Sequence, residues 1–417
     1  MNIERTTYLK RLISRRENGM VKVVTGMRRC GKSYLLRNLF VDYLLQDGVK
    51  ADHVIYANLE DFENKPLRNP DTLYAHIKSK LHSADMNYII LDEIQLVEGF
   101  EDILNGLLNM GNTDIYVTGS NARFLSKDII TEFRGRGDEV NMHPLSFKEF
   151  MTVYDGSYEK GFDEFMLFGS LPQILQRNDE EQKMSFLKTL FTETYLRDIK
   201  ERHKIRNDAE LEELVSLIAS SIGTLTNPIN IANTFESVKH IKLSHPTIKN
   251  YLEYLSDSFL IEQSKRYDIK GKKFIDTPYK YYFTDLGLRN ARLNFSQNDS
   301  GHLMENVIYN ELRIRGYNVD VGVVPIRQKN SSGNIIRSNL EVDFVCNMGN
   351  KRYYIQSAYR MPDDAKVAQE QASLLNVNDS FKKIIVTGED IHIRRNDAGI
   401  TTMSIYDFLL HENSLDM

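Results

Sequence analysis

The sequence predicts an α/β fold for its N-terminal part, a parallel sheet covered by helices, on three observations. The stretch Gly26-Met27-Arg28-Arg29-Cys30-Gly31-Lys32-Ser33 has the spacing G-x-x-x-x-G-K-S/T. It lies between a β-branched run, Val21–Thr25, and a helical pattern carrying Leu35, Leu36, Leu39 and Phe40. A second apolar run, residues 88–91, ends in Asp92-Glu93. Strand and helix patterns then alternate from residue 20 to residue 150, as parallel strands joined by helical crossovers require.

The first stretch is a phosphate-binding P-loop by its chemistry. Glycines at both ends let the backbone turn back and approach an anion closely, and the loop N–H groups converge with a helix N-terminus on phosphate oxygens. The expected nucleotide-binding residues are Gly26, Arg28, Arg29, Cys30, Gly31, Lys32, Ser33 and Tyr34. Lys32 would reach the β- and γ-phosphates, and the Ser33 hydroxyl would ligate Mg2+. In Asp92-Glu93 the spacing matches the Walker B form, with Asp92 on the metal and Glu93 polarising the attacking water. A solvated strand end is the plainer account of an Asp-Glu pair, but its place after an apolar strand downstream of a P-loop favours catalysis.

Composition narrows the class. With 417 residues the chain exceeds one ordinary core, so two or three domains are expected. It is 41% hydrophobic and 27% charged, as soluble globular proteins are. A net charge of −5 argues against a surface coated in positive charge for nucleic acid, while leaving room for a local basic patch. Two cysteines, Cys30 and Cys346, are too few for a disulfide framework or a zinc–cysteine cluster and point to a reducing, cytoplasmic setting. Neither a signal-peptide core nor a membrane span is expected.

In chain order, residues 3–16 read as an amphipathic helix with Tyr8, Leu9, Leu12 and Ile13 on one side and a basic opposite face, expected to be solvated. Strands are expected at 53–58 and 114–118, and helices at 71–81 and 100–110. The strand at 114–118 leads into Gly119-Ser120-Asn121, where a neutral polar tip suits contact with a γ-phosphate and its attacking water; Asn121 is the candidate, and a helix N-cap is the alternative. Phe133-Arg134-Gly135-Arg136-Gly137 offers two arginines for transition-state charge, in cis or from a neighbouring subunit. Helical patterns fill 163–222. Helices at 230–235 and 244–255, then a strand and a basic turn at 270–274, read as a winged helix. Glu253 and Asp257 weaken its second helix as a DNA reader, whereas Lys265, Arg266, Lys270, Lys272 and Lys273 make the wing a credible contact with a phosphate backbone.

The last part has the outline of a restriction-endonuclease-like core: a helix at 303–315 with Glu305, strands at 318–323, 340–346 and 352–355, a helix at 364–375 and a strand at 383–387. Asp343 occupies the position of one metal-binding carboxylate. Gln356 stands where the second belongs and Ala358 where a lysine belongs, so this domain is expected not to cut nucleic acid.

The order of Gly-Met-Arg-Arg-Cys-Gly-Lys-Ser, Leu-Asp-Glu-Ile-Gln, Thr-Gly-Ser-Asn, Gly-Arg and Pro-Leu-Ser-Phe-Lys-Glu-Phe resembles a prokaryotic family of AAA-type ATPases. Tyr-Leu-Arg-Asp-Ile at 195–199 and Lys-Tyr-Tyr-Phe-Thr-Asp-Leu-Gly-Leu at 280–288 resemble its later signatures. The resemblance implies an AAA-like ATPase domain at 1–155, a helical and winged-helix region at 156–295 and an inactive nuclease-like domain at 296–417. It implies ATP and Mg2+ as ligands, with Glu93, Lys32, Asn121 and Arg136 as catalytic residues and Ser33 and Asp92 on the metal. The functional expectation is ATP hydrolysis that moves the C-terminal parts, on or near DNA. An ATP-binding switch or scaffold for a protein partner is the first alternative, and a DNA nuclease or remodelling enzyme the second. An oligomer is compatible with all three.

Overall fold

A computed structural model describes residues 3–119, 135–205, 208–239, 242–297, 299–329 and 335–417. The chain forms two compact units, one built on Met1–Leu145 with Leu171–Gln173 and Asp257–Phe259, the other on Ser146–Ser170, Ile174–Ser256 and Leu260–Met417.

The first unit is a five-stranded sheet. Its strands are β1 (Val21–Thr25), β2 (Val54–Asn58), β3 (Asn87–Asp92), β4 (Thr113–Thr118) and β5 (Gly137–Asn141), in the order β2-β3-β4-β1-β5, and every pair is parallel. Strands β1, β3 and β4 are buried along their whole length, which is why they read as continuous apolar runs without alternation. On one face Val21, Val23, Ile89, Leu91, Ile115 and Val117 pack with Leu73, Ile77, Phe100, Leu104 and Leu107 from the helices Pro70–Lys80 and Phe100–Leu108. The helix that follows the P-loop runs through Lys32–Tyr34, Leu35–Phe40 and Val41–Gln46, its middle wound as a π-helix, and buries Leu35, Leu36, Phe40 and Leu44. Phe40 meets Tyr116 of β4 with ring centroids 4.5 Å apart. The sheet order puts β4 between the P-loop strand and the Asp92 strand, so a residue at its carboxyl end can touch both sites.

The basic side of the first helix is not wholly solvated. Arg5, in a left-handed conformation (φ 45°) ahead of the helix Thr6–Ile13, is 2% exposed. Its guanidinium donates to the carbonyls of Cys30 (3.2 Å), His143 (2.6 Å) and Pro144 (3.3 Å). A buried turn with outward carbonyls needs donors, and an arginine fork supplies several at once.

The second unit begins with the helices Phe147–Met151 and Tyr158–Phe168, whose Phe147, Phe150, Phe162 and Phe165 meet edge to face at 5.4–5.7 Å. Helices Pro228–Thr234 and His245–Asp257 precede a hairpin of β6 (Ile261–Asp268) and β7 (Lys273–Phe283). The remaining strands are β8 (Asn318–Lys329), β9 (Ile335–Met348), β10 (Lys351–Ala358), β11 (Lys382–Thr387), β12 (Arg394–Arg395) and β13 (Ile400–Ser404). All eight form one sheet in the order β12-β13-β11-β10-β9-β8-β6-β7, the hairpin joining through parallel pairing of residues 266–268 with 321–323. The domain limits expected at 155/156 and 295/296 therefore both fall inside this unit. The aromatic cluster ties 147–151 to 158–168, and the shared sheet ties the hairpin to the C-terminal strands.

Candidate functional site

The P-loop leaves the carboxyl end of β1 through three positive-φ residues, Gly26 (140°), Arg29 (65°) and Gly31 (105°), before the helix begins at Lys32. A methyl group on Gly26 would lie 2.1 Å from the carbonyl oxygen of Met142, so only glycine fits there. Gly26→Ala is expected to cost about 1–3 kcal/mol of stability and to weaken ATP binding at least about tenfold, measured by denaturation and calorimetric titration. Lys32 is buried, and its ammonium donates to the carbonyls of Gly26 and Met27, each at 3.0 Å. The cation is thus held inside the loop that it would serve. Ser33 is exposed in the first helical turn, Cys30 is buried behind the loop, Arg28 and Tyr34 are half-buried and Arg29 is exposed.

At the end of β3, Asp92 is buried and accepts a hydrogen bond from the Thr118 hydroxyl at the end of β4. The same hydroxyl accepts from the backbone N–H of Glu93 at 2.9 Å. Thr118 thereby fixes both acidic residues from the neighbouring strand. Glu93 adopts a left-handed conformation (φ 56°, ψ 49°), a strained state for a residue with a Cβ, and such strain collects at functional sites. Its carboxylate accepts from the Gln95 side chain. Tyr56 on β2 has its hydroxyl pKa raised, first by burial and then by the charge of Asp92, and the Arg37 guanidinium lies over its ring at 5.5 Å.

Register decides where Arg136 lies. Val21 opens β1, pairs with Gly137 and donates its N–H to the Arg136 carbonyl at 2.8 Å. Arg136 is therefore at the amino end of the sheet, roughly 15 Å along the strand from the P-loop, with its guanidinium on Asn109 at 3.2 Å. It does not join the P-loop, Asp92 and Glu93 within one chain. Ser120, Asn121 and Arg134 lie outside the described residues.

A second buried polar cluster occurs in the other unit. The Lys280 ammonium of β7 lies 2.8 Å from Glu305, 2.8 Å from Glu341 and 3.6 Å from Asp343. Glu305 also accepts from the Tyr282 hydroxyl at 2.7 Å, and Asp343 from the Ser357 N–H at 2.8 Å. One cation against two buried carboxyl groups and a partly exposed third leaves excess negative charge at the site. Burial, then the charge of Glu305, pushes Asp343 up to about 8, and the carboxylates hold Lys280 above its ordinary value despite burial. Gln356 accepts from Ser373 at 3.2 Å, and Ala358 is buried. The position that Ala358 leaves without a cation is thus compensated from another strand.

Sequence reasoning passed over Thr118, Arg5, Tyr56 and Lys280 as site residues. For Thr118 a signal existed, a hydroxyl closing an apolar strand just before Gly-Ser-Asn. Lys280 opens the signature quoted at 280–288, but nothing in that stretch names its acidic partners.

A family model described as an AAA domain matches residues 18–151, and one for a domain of unknown function matches residues 159–299. An uncharacterised Haemophilus influenzae protein is 34% identical over 414 residues, covering 98% of both chains. An uncharacterised Methanocaldococcus jannaschii protein is 32% identical over 392 residues, covering 89% of this chain and 85% of its own. Among solved structures, the Aeropyrum pernix Orc1 protein in complex with DNA superposes with a TM-score of 0.31 at 13% identity, over 70% of this chain and 93% of its own. That overlap is too loose to bear on function.

Proposed function

The chain belongs to one family with its Haemophilus influenzae relative and carries an AAA domain at residues 18–151, and on that premise we propose that this nucleotide-binding AAA-type ATPase hydrolyses ATP with Mg2+. The observation that carries the proposal is the Thr118 bridge, which links Asp92 and the strained Glu93 to the strand beside the P-loop. The donor set suits a magnesium nucleotide: a hard carboxylate on Asp92, an exposed hydroxyl on Ser33 and a buried ammonium on Lys32. Ser33 and Asp92 would hold the Mg2+, which when bound neutralises charge on the phosphate oxygens.

Lys32 exchanges the Gly26 and Met27 carbonyls for phosphate oxygens when ATP enters. Glu93 accepts a proton from water as the new bond to the γ-phosphorus forms and the bond to the β–γ bridging oxygen breaks, yielding ADP and phosphate. Asn121 helps to hold that water. Arg136, too far along its own sheet, serves the nucleotide of a neighbouring copy and supplies charge to the transition state in trans. Nucleotide state alters the second unit, whose hairpin exposes Lys265, Lys270, Lys272 and Lys273 as its contact with a nucleic-acid backbone. The nuclease-like part does not cut, since Gln356 offers a neutral amide where a second metal-binding carboxylate belongs and the Lys280 ammonium lies among the remaining carboxyl groups.

The test is phosphate release from Mg-ATP with and without double-stranded DNA, single-stranded DNA and RNA. Turnover above the uncatalysed rate supports the proposal, and stimulation that fades steeply with salt supports the nucleic-acid contact. ATP binding without turnover would support a second reading, a slow switch, which the Gln95 hold on the Glu93 carboxylate favours. Metal-dependent cutting lost in Asp343→Ala would overturn the inactive-nuclease reading.

A further inference from the structure

At the amino end of the first sheet, opposite the P-loop, Asp52 and His53 precede β2, and His82 and Asp85 lie in the loop that enters β3. The ligand atoms of Asp52, His53 and His82 lie within 4.8 Å of one another. His53 Nε2 stands 3.8 Å from Asp52 Oδ1 and 3.7 Å from Asp85 Oδ2, and His82 Nε2 stands 3.7 Å from Asp52 Oδ2. These separations exceed hydrogen-bond reach. They approach the edge of a tetrahedron of ligands about 2.0–2.2 Å from a central ion, which is roughly 3.3–3.6 Å.

We propose that Asp52, His53 and His82, with Asp85 beside His53, form a binding site for a divalent transition ion, with Zn2+ as the natural occupant. Three further features fit this. The His53 side chain is only 7% exposed, and its Nδ1 faces the Met86 carbonyl at 3.4 Å, which turns Nε2 toward the carboxylates as a metal ligand requires. The loop that presents His82 and Asp85 is built rather than loose. The buried Asn87 side chain accepts from the His82 N–H at 2.9 Å and donates to the carbonyls of His82 (2.9 Å) and Asp85 (3.1 Å), and Asn112 adds a bond to the His82 carbonyl at 2.9 Å. The His82 ring, stacked on His53 at 4.3 Å, is 42% exposed and holds its Nε2 on the same side as Asp52.

The chemistry selects the ion. Two imidazoles with carboxylates suit Zn2+, Ni2+ or Co2+ and are a poor set for Mg2+, which keeps oxygen ligands and water. A competing cation is present, the Lys50 ammonium at 3.9 Å from Asp85, but it is 72% exposed and yields readily to a divalent ion. The bound ion clips the entry of β2 to the entry of β3, at the end of the sheet remote from nucleotide.

The test uses the full chain stripped with a chelator and held in excess Mg2+ without nucleotide, so that Ser33 and Asp92 meet Mg2+ rather than the probe. Zn2+ is titrated calorimetrically, and X-ray absorption is recorded on the loaded protein. One Zn2+ per chain is expected, with two imidazole nitrogens in its shell. His82→Ala and Asp52→Asn, both at exposed side chains, are expected to weaken binding by about tenfold or more without loss of fold. Substoichiometric binding, a shell without imidazole, or wild-type affinity in both variants would overturn the proposal.

Discussion

Glu93→Gln is expected to lower the rate of ATP hydrolysis by roughly 10²–10⁴-fold while leaving ATP bound, because an amide keeps the shape of the carboxylate and cannot accept the proton of water. The backbone of Glu93 is held from outside its own strand by the Thr118 hydroxyl, so the amide variant should keep its left-handed conformation. The measurement pairs single-turnover phosphate release with equilibrium binding of ATP. Equal rates in wild type and variant would remove Glu93 from the chemistry. A loss of binding in step with rate would instead assign it to the architecture of the site. Thr118→Val separates the two: it keeps both acids, removes their shared hydrogen-bond partner, and should lower turnover more than affinity.

Lys280→Met is expected to destabilise the second unit by about 3–5 kcal/mol, because it strands buried carboxylates without their cation. The chain lacks tryptophan, so far-UV circular dichroism during denaturation is the practical readout. Adding Glu305→Gln should recover part of the loss by removing one of the unpaired charges. The cluster also predicts a direction with pH. Folded Asp343 keeps its proton up to about 8, whereas in the unfolded chain it ionises near the ordinary value of about 4. Between those limits the folded state binds more protons, so this group makes stability fall as pH rises, by at most about 1.4 kcal/mol per pH unit. Asp285 and Asp320, each raised to about 6 mainly by burial, add the same sign of slope below that value. Glu311, raised by burial, contributes with the same sign, and Asp343→Asn should reduce the slope.

Much of the first unit was legible because its information is local. The run Val21–Thr25 and the run into Asp92-Glu93 are continuous apolar strands that end in polar residues, and each carries its chemistry within a few positions. The helix expected at 364–375 is Asp364–Leu375, with an N-cap on Asp363 that the sequence displays. Residues 400–404 and 405–410, a short buried strand and the helix after it, were not anticipated. The burial of Arg5 and the joining of the hairpin to the C-terminal strands are not legible in the sequence for a common reason. The fate of a basic residue or of a hairpin depends on what packs against it from far along the chain.

The sequence by itself determined the phosphate-binding loop, the acidic pair and the crossover pattern that demands parallel strands, because periodicity and spacing are written within single elements. Tertiary structure alone decided the strand order of the two sheets, and with it three facts about the chemistry. Thr118 meets Asp92 and Glu93, Arg136 falls at the far end of the sheet, and Lys280 enters the acidic cluster where Ala358 offers no charge. Each depends on strand register and neighbour choice, which are set by burying one surface against another from distant parts of the chain and leave no mark on the local pattern.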